Sequence, residues 1–271
     1  MLDIGLNPNL VGGITWHGLF TALAVAVGVV FVARLARNRG MNEDIVFNVA
    51  MWAVPGGVIG SRLVHVIDRW SFYKNNLEEI FFIWNGGVAL FGAILGGTIA
   101  GVAYAWVKGY PIGKLADMAA PSLLISQAVG RVGDLINGEH FSKTTDLPWA
   151  WVHTHPDWPG RGRLDVIPVG GDGAAIGYHP SVAYEMMADV LLFFFIWRLL
   201  GKVSPDGMVM LIYLALYSLV RFGIQFTRAD PERLGALQQA HVISLIVFAI
   251  ALLFMIYLLI RRQTQARAAA T

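Results

Sequence analysis

Residues 239–262 read QAHVISLIVFAIALLFMIYLLIRR. From Val242 to Ile260 every residue is uncharged, and Arg261 and Arg262 close the run. A helix needs roughly 20 apolar residues to cross the hydrocarbon core of a bilayer, and this stretch supplies them. Working outward, the rest of the chain has the same character. It has 271 residues, 56% of them hydrophobic and only 14% charged, where soluble domains carry about 25% charged residues. Mean hydropathy is +0.59. A soluble fold of this size has no interior large enough to hide so much apolar surface, so the bilayer must serve as solvent for much of it.

Seven segments satisfy the length requirement: 15–33, 46–67, 87–107, 115–136, 179–199, 207–226 and 239–260. Basic residues orient them. Arg34, Arg37 and Arg39 follow the first, Lys108 and Lys114 lie between the third and fourth, Arg198 and Lys202 between the fifth and sixth, and Arg261, Arg262 and Arg267 follow the seventh. With seven spans all four clusters fall on one side, which the positive-inside rule makes cytoplasmic. The N-terminus is then outside and the C-terminus inside. The fold expected is an all-α integral membrane protein of about seven transmembrane helices, a single domain over 1–271. A small extracytoplasmic cap, 137–178, is inserted between the fourth and fifth helices. That stretch holds Pro148, Pro156, Pro159, Pro168, a GGDG turn at 170–173, and Trp149, Trp151 and Trp158, a mixture suited to turns lying on the membrane interface.

Composition also excludes chemistry. Net charge is +2, too little to draw nucleic acid. The chain has no cysteine, which rules out disulfides, thiolate metal sites and a thiol nucleophile of its own. Its first ten residues, MLDIGLNPNL, lack a basic region ahead of an apolar run, so no cleavable signal peptide is read and the first helix is retained.

Polar residues inside spans are costly and tend to mark function. Here they crowd toward the expected outer ends. Arg62, His65 and Asp68 recur every three residues and share one face of the second span. Arg131 and Asp134 can pair near the end of the fourth, followed by Asn137 and Glu139. The fifth opens with Tyr178-His179-Pro180-Ser181 and continues through Tyr184, Glu185 and Asp189. The sixth carries Tyr217, Arg221 and Gln225 in one stripe, with Arg228 beyond. Taken singly, each arginine also fits a structural role, as partner of Asp68, Asp134, Glu185 or Asp189; Arg69 and Arg228 fit snorkelling to the interface. Arg62, Arg131 and Arg221 at one depth on three helices fit an anionic lipid phosphate better, because guanidinium is a planar, permanently charged, bidentate donor. Gly96, Gly97 and Gly101 fit close helix packing, whereas Gly86 and Gly87, at a helix entrance, offer backbone donors to an anion.

These pieces resemble the prolipoprotein diacylglyceryl transferase family, whose signature runs G-R-x-G-N-F-x-N-x-E-x-x-G. Residues 130–142 fill that slot: the glycines Gly130 and Gly133, Arg131, Asn137 and Glu139 match, while Asp134, Leu135 and Ser142 replace Asn, Phe and Gly. Trp16-His17-Gly18 resembles the family's W-Y-G, Gly60-Ser61-Arg62 its G-G/A-R, Trp84-Asn85-Gly86-Gly87 its W-x-G-G, and His179-Pro180-Ser181 with Tyr184-Glu185 its H-P-S-Q-L-Y-E. Tyr217 and Arg221 resemble its Y-x-x-x-R block, with Gln225 where Glu is usual. The blocks keep their order from about residue 14 to 260. One departure stands out: Phe91 occupies the place of the family's active-site histidine.

The resemblance implies transfer of diacylglyceryl from phosphatidylglycerol to the lipobox cysteine thiol of a preprolipoprotein, with glycerol phosphate leaving, in a bacterial plasma membrane. The nucleophile belongs to the substrate. The expected partners are phosphatidylglycerol, the preprolipoprotein lipobox peptide and membrane lipid, with no cofactor and no metal. Arg131 and Arg221 are expected on the phosphate, supported by Arg62, with Asn137, Gly86, Gly87 and Tyr217 lining the lipid site. His17, His65, Asp134 and Glu139 are candidates for the base that takes the thiol proton. A second expectation, motivated by Phe91, is an inactive relative that binds anionic phospholipid or lipoprotein precursors. A third class, a small-molecule transporter, lacks the repeats or interrupted helices that transporters commonly show.

Overall fold

The computed structural model describes residues 2–268 apart from 13, 84–85, 139–140, 156, 159–175 and 236. The GGDG turn and Glu139 therefore lie outside the described residues. Seven long helices are present among those described: α1 (Trp16–Asn38), α2 (Asp44–Asp68), α4 (Leu90–Val107), α5 (Ile112–Asn137), α6 (Ser181–Leu199), α7 (Met208–Gln225) and α8 (Gln239–Ala268); α3 is a single turn, Trp70–Tyr73. Each long helix falls on one of the expected apolar segments. The largest late start is that of α4, which begins at Leu90 rather than 87. Gly86 and Gly87 both take positive φ, 86° and 80°, a backbone shape that no helix continues. Five of the seven are long and apolar enough to cross a membrane. The other two, α5 and α6, carry the buried carboxyl groups Asp117, Asp134, Glu185 and Asp189.

The protein is a mostly helical membrane protein. On α8, Ile246, Ile250, Leu253, Phe254 and Tyr257 are all exposed, and α4 similarly exposes Ile94, Leu95, Ile99 and Trp106. Apolar faces of that extent are stable only against lipid.

The chain forms two compact units, residues 29–115 and residues 1–28 with 116–271. In the first, α2 and α4 pack backbone to backbone. A Cβ on Gly60 would overlap the Gly92 carbonyl and come within 2.9 Å of Gly96 Cα; one on Gly97 would stand 3.1 Å from the Ala53 carbonyl, and one on Gly101 3.2 Å from Ala53 Cβ. Lipid supplies no hydrophobic drive between helices, so close approach through small residues is what holds such a pair. Gly96, Gly97 and Gly101 thus pack as expected. Trp52 stacks on Tyr104 at 5.7 Å across the same pair.

In the second unit, Gly133 of α5 lies so close to the first turn of α1 that a Cβ would be 2.9 Å from His17 Cα and 3.1 Å from the Trp16 carbonyl. Farther along, Ser122 Oγ donates to the Gly28 carbonyl at 2.8 Å. Asp117 accepts from the backbone amides of Gly207 and Met210, at 2.8 and 3.0 Å, and so satisfies donors that the first turn of α7 leaves open. Beyond the other ends of these helices, residues 141–145 pair on one side with 227–229 and on the other with 177–179: Lys143 donates to Thr227 at 2.8 Å, Ala229 to Phe141 at 3.1 Å, and His179 to Lys143 at 3.0 Å. Buried hydroxyls sew the same region, Ser142 to Ser181 and Ser181 to Thr227, each at 2.7 Å. The end of α5, the start of α6 and the end of α7 are tied together by this fabric.

Candidate functional site

Just inside that tie, four helices of the second unit present polar side chains to one another. The first turn of α1 supplies His17, α5 supplies Arg131 and Asp134, α6 supplies Glu185, and α7 supplies Tyr217 and Arg221. The pairs 131/134 and 217/221 have the three- and four-residue spacing that stacks side chains on one helix face.

Glu185 is the hub. It is completely buried. Its Oε1 accepts from Arg131 Nη2 and from the Tyr217 hydroxyl, the latter at 2.9 Å, and its Oε2 accepts from Arg221 Nη1 at 3.2 Å. Arg131 reaches the other way with Nη1, donating to Asp134 Oδ2 at 2.7 Å. The second oxygen of Asp134 meets His17 Nδ1 at 2.7 Å. A continuous chain therefore runs His17, Asp134, Arg131, Glu185, then Tyr217 and Arg221. Side-chain exposure falls from 40% at His17 to 15% and 19% at the two arginines, so the chain is reachable from the imidazole end and sealed at the carboxylate. Charge-assisted bonds at this depth are strong because little water competes.

Two guanidinium groups from different helices thus converge on one carboxylate. The pairing with Glu185 and Asp134 is the structural role that each arginine alone suggests. The convergence, however, is what a phosphate clamp requires, since both cations point at a single place.

Asn137 is buried at the end of α5, where Gly138, at φ 63°, turns the chain out of the helix. The expectation that Arg62 supports a phosphate is corrected. Its guanidinium is spent on backbone: Nε donates to Ile80 O at 3.0 Å, Nη1 to Gly87 O at 2.8 Å and to Gly86 O, and Nη2 to Glu79 O and to Phe82 O at 3.3 Å. The Tyr73 ring lies 5.3 Å beneath it. Arg62 thus gathers the carbonyls of Glu79, Ile80, Phe82, Gly86 and Gly87 around one guanidinium. Gly86 and Gly87 turn their carbonyls to it, and the Gly86 N–H donates to the Ile83 carbonyl at 3.2 Å. A Cβ on Gly87 would also collide with the imidazole of His65. Phe91, on α4, is 48% exposed.

Next to the end of α5, the His153 ring stacks on Trp158 at 5.1 Å and 8°. Its Nε2–H donates to the Leu135 carbonyl at 3.1 Å, and Trp158 donates to Gly138 O at 3.1 Å. Burial, opposed by that hydrogen bond and by the charge of Asp3, holds the His153 pKa below its usual value, which keeps the ring a neutral wedge.

Sequence reasoning passed over Glu185 as a site residue and gave it only as a partner for an arginine. The available signal was a carboxylate within an apolar helix, four residues before a second, Asp189.

The family model for prolipoprotein diacylglyceryl transferase matches residues 9–257. The chain is 36% identical over 257 residues to a phosphatidylglycerol–prolipoprotein diacylglyceryl transferase of Nostoc sp., covering 92% of this chain and 87% of that one. Its counterpart from Thermosynechococcus vestitus is 35% identical over 237 residues, 87% and 85% of the two chains. One from Listeria innocua is 34% identical over 245 residues, 90% and 85% of the two chains.

Proposed function

Because the chain belongs to the prolipoprotein diacylglyceryl transferase family, we propose that it transfers the diacylglyceryl group of phosphatidylglycerol to the lipobox cysteine of a preprolipoprotein in the bacterial plasma membrane. The observation that supports this most directly is the convergence of Arg131 and Arg221 on Glu185. In the reaction the substrate's thiolate sulfur forms a bond to the glyceryl carbon while the carbon–oxygen bond to phosphate breaks. Negative charge accumulates on the departing glycerol phosphate. Arg131 and Arg221 exchange Glu185 for that phosphate and neutralise it where charge develops, which is the largest single contribution in many enzymes. Tyr217, whose hydroxyl donates to the same carboxylate, lines the same region, and Asn137, three residues beyond Asp134 on α5, is assigned to it. A chain without cysteine is chemically sufficient, because the nucleophile arrives with the peptide.

The thiol proton goes to His17. Asp134 fixes the ring through Nδ1 at 2.7 Å, so Nε2 is the nitrogen that takes the proton, and the carboxylate stabilises the imidazolium that forms. An imidazole suits proton transfer at neutral pH. Glu139 borders this region in sequence and is the second candidate for the base.

The membrane arrangement follows from charge. The seven long helices are read as seven spans, with the loops carrying Arg34–Arg39, Lys108–Lys114 and Arg198–Lys202 and the tail Arg261–Arg267 cytoplasmic. The N-terminus and the cap at 137–178 then face outward, where lipoprotein precursors emerge.

The direct test incubates purified protein with phosphatidylglycerol and a lipobox peptide and weighs the peptide by mass spectrometry. A mass increase of one diacylglyceryl group, located on the cysteine, is expected. An unmodified peptide, with folded protein and bound lipid verified, would refute the assignment.

A further inference from the structure

Helix α6 buries two carboxyl groups one turn apart, and only one of them has partners. The two oxygens of Glu185 together accept three donors. Asp189 is also completely buried, yet neither Oδ1 nor Oδ2 has a hydrogen-bond partner among the described residues. The groups in electrostatic reach of Asp189 are Glu185 on its own helix, Arg131 on α5, and Arg221, Tyr213 and Tyr217 on α7. The Tyr213 hydroxyl is occupied by Gln127, 2.7 Å away, and the two arginines are committed to Glu185 and Asp134.

An ionised carboxylate with no hydrogen bond, sealed from water, is far less favourable than the neutral acid. Neutrality explains why Asp189 tolerates its isolation. It does not explain why a polar group is there at all, since an apolar residue of the same size would pack without penalty. The answer lies one turn away. If a phosphate takes Arg131 and Arg221, Glu185 loses both of its ion-pair partners and keeps only the Tyr217 hydroxyl as a hydrogen-bond donor, with Arg228 in electrostatic reach but not hydrogen-bonded to it, and leaving a buried ion without its partner is strongly destabilising. Residues four apart on a helix have Cβ atoms about 5–6 Å from each other, so the Asp189 carboxyl needs only a side-chain rotation to reach Glu185.

We propose that Asp189 is a protonated acid held in reserve, which hydrogen-bonds to the Glu185 carboxylate when an anionic lipid phosphate takes over Arg131 and Arg221. The inference rests on the phosphate-clamp reading above and deepens it. The pair carries one proton and one negative charge before and after; the O–H stays on Asp189 or is shared with Glu185, and the phosphate charge is met by the guanidinium groups. Asp189 is thus a positioning residue, which lets the clamp open without leaving a bare carboxylate in the membrane.

The test uses the full chain in nanodiscs of zwitterionic lipid, titrated with phosphatidylglycerol and followed by infrared spectroscopy. The wild type should show the carbonyl stretch of a neutral carboxyl group, sensitive to deuterium, which moves to lower frequency as phosphatidylglycerol binds. Asp189→Asn and Asp189→Leu should both lack that band. Asp189→Leu should bind phosphatidylglycerol about tenfold more weakly, the effect of one lost hydrogen bond to a charged group, while melting no lower than wild type without ligand. Asp189→Asn retains a donor for Glu185 and should recover most of the affinity. Phosphatidylglycerol bound equally well by wild type and Arg131→Ala would defeat the clamp and this inference with it. Binding that needs Arg131 but shows no neutral-acid band in the wild type, or is unaffected in Asp189→Leu, would overturn the role of Asp189 and leave the clamp standing.

Discussion

Replacing Glu185 by glutamine removes the charge at the centre of the cluster with almost no change in volume. The amide oxygen can keep the Oε1 position and its donors, Arg131 and Tyr217. The amide nitrogen then occupies the Oε2 position and faces Arg221 Nη1, 3.2 Å away, donor to donor. Arg221 loses its carboxylate outright, whereas Arg131 keeps Asp134 at 2.7 Å. Breaking a buried ion pair by removing one partner costs about 3–5 kcal/mol, and the retained Asp134 contact places Glu185→Gln near the low end, about 3 kcal/mol. For a chain of this size each kcal/mol lowers the melting temperature by about 2–4 °C, so a fall of about 6–12 °C is expected. Thermal unfolding in one fixed detergent, read by tryptophan fluorescence, measures it. Saturating phosphatidylglycerol should return part of the loss, since a bound phosphate supplies the anion that the variant lacks. A variant that melts with the wild type would show that Glu185 does not hold the two arginines. A variant that is destabilised but gains nothing from phosphatidylglycerol would show that the arginines do not take the phosphate.

Arg131→Ala should reduce transfer by about 100-fold, the effect of removing one group that stabilises developing negative charge, while folded protein remains in the membrane; Arg131→Lys should recover little, and normal transfer by Arg131→Ala would make the residue structural. His17→Phe should lower transfer by about 100-fold or more and abolish the fall in rate toward acidic pH, whereas His65→Phe should do neither; Phe91→His in the His17→Phe background asks whether a histidine at 91 restores proton transfer, and full activity of His17→Phe itself would reject His17 as the base. Gly60→Ala drives a methyl into the Gly92 carbonyl and should cost about 3 kcal/mol, while Gly101→Ala meets only side-chain methyls of Ala53 and Val49, at 3.2 and 3.4 Å, and should stay within about 1 kcal/mol; equal melting of the two variants would contradict the α2–α4 packing. A cysteine introduced at Thr154 should react with an impermeant reagent in intact cells and one at Arg37 should not, and the reverse pattern would invert the topology.

The helices were legible because one physical requirement, a run of apolar residues as long as the bilayer is thick, writes itself directly into sequence. Their limits were less so where a local feature intervenes: Gly87 reads as the first residue of a span until its positive φ and the extended backbone of Ala89 put the start of α4 at Leu90. In the cluster, Arg131 and Arg221 stood out because a cation at membrane depth is conspicuous in one dimension. The carboxylates were visible only as a set of candidates, and which arginine meets which was not, because the His17–Asp134 contact joins residues 117 positions apart and the Arg131–Glu185 contact joins residues 54 apart. Arg62 was misread for a related reason. An arginine that faces a headgroup and one that faces a ring of carbonyls present the same letter at the same depth, and only the placement of the carbonyls of Glu79, Ile80, Phe82, Gly86 and Gly87 separates them.

The three-residue spacing of Arg131 and Asp134 also bears on how the protein is made. Helices enter the membrane in order of synthesis, and a lone arginine in a span is penalised during insertion, by about 2.5–3.5 kcal/mol at the centre and by less toward an end, where Arg131 sits. Arg131 leaves the ribosome well before Glu185 and Arg221. It carries its own counter-ion on the same helix, so α5 can partition into lipid as an internally neutral element while the rest of the cluster has yet to be translated. In the seven-span reading proposed above, Asp134 thereby neutralises its neighbour before any lipid or peptide is bound.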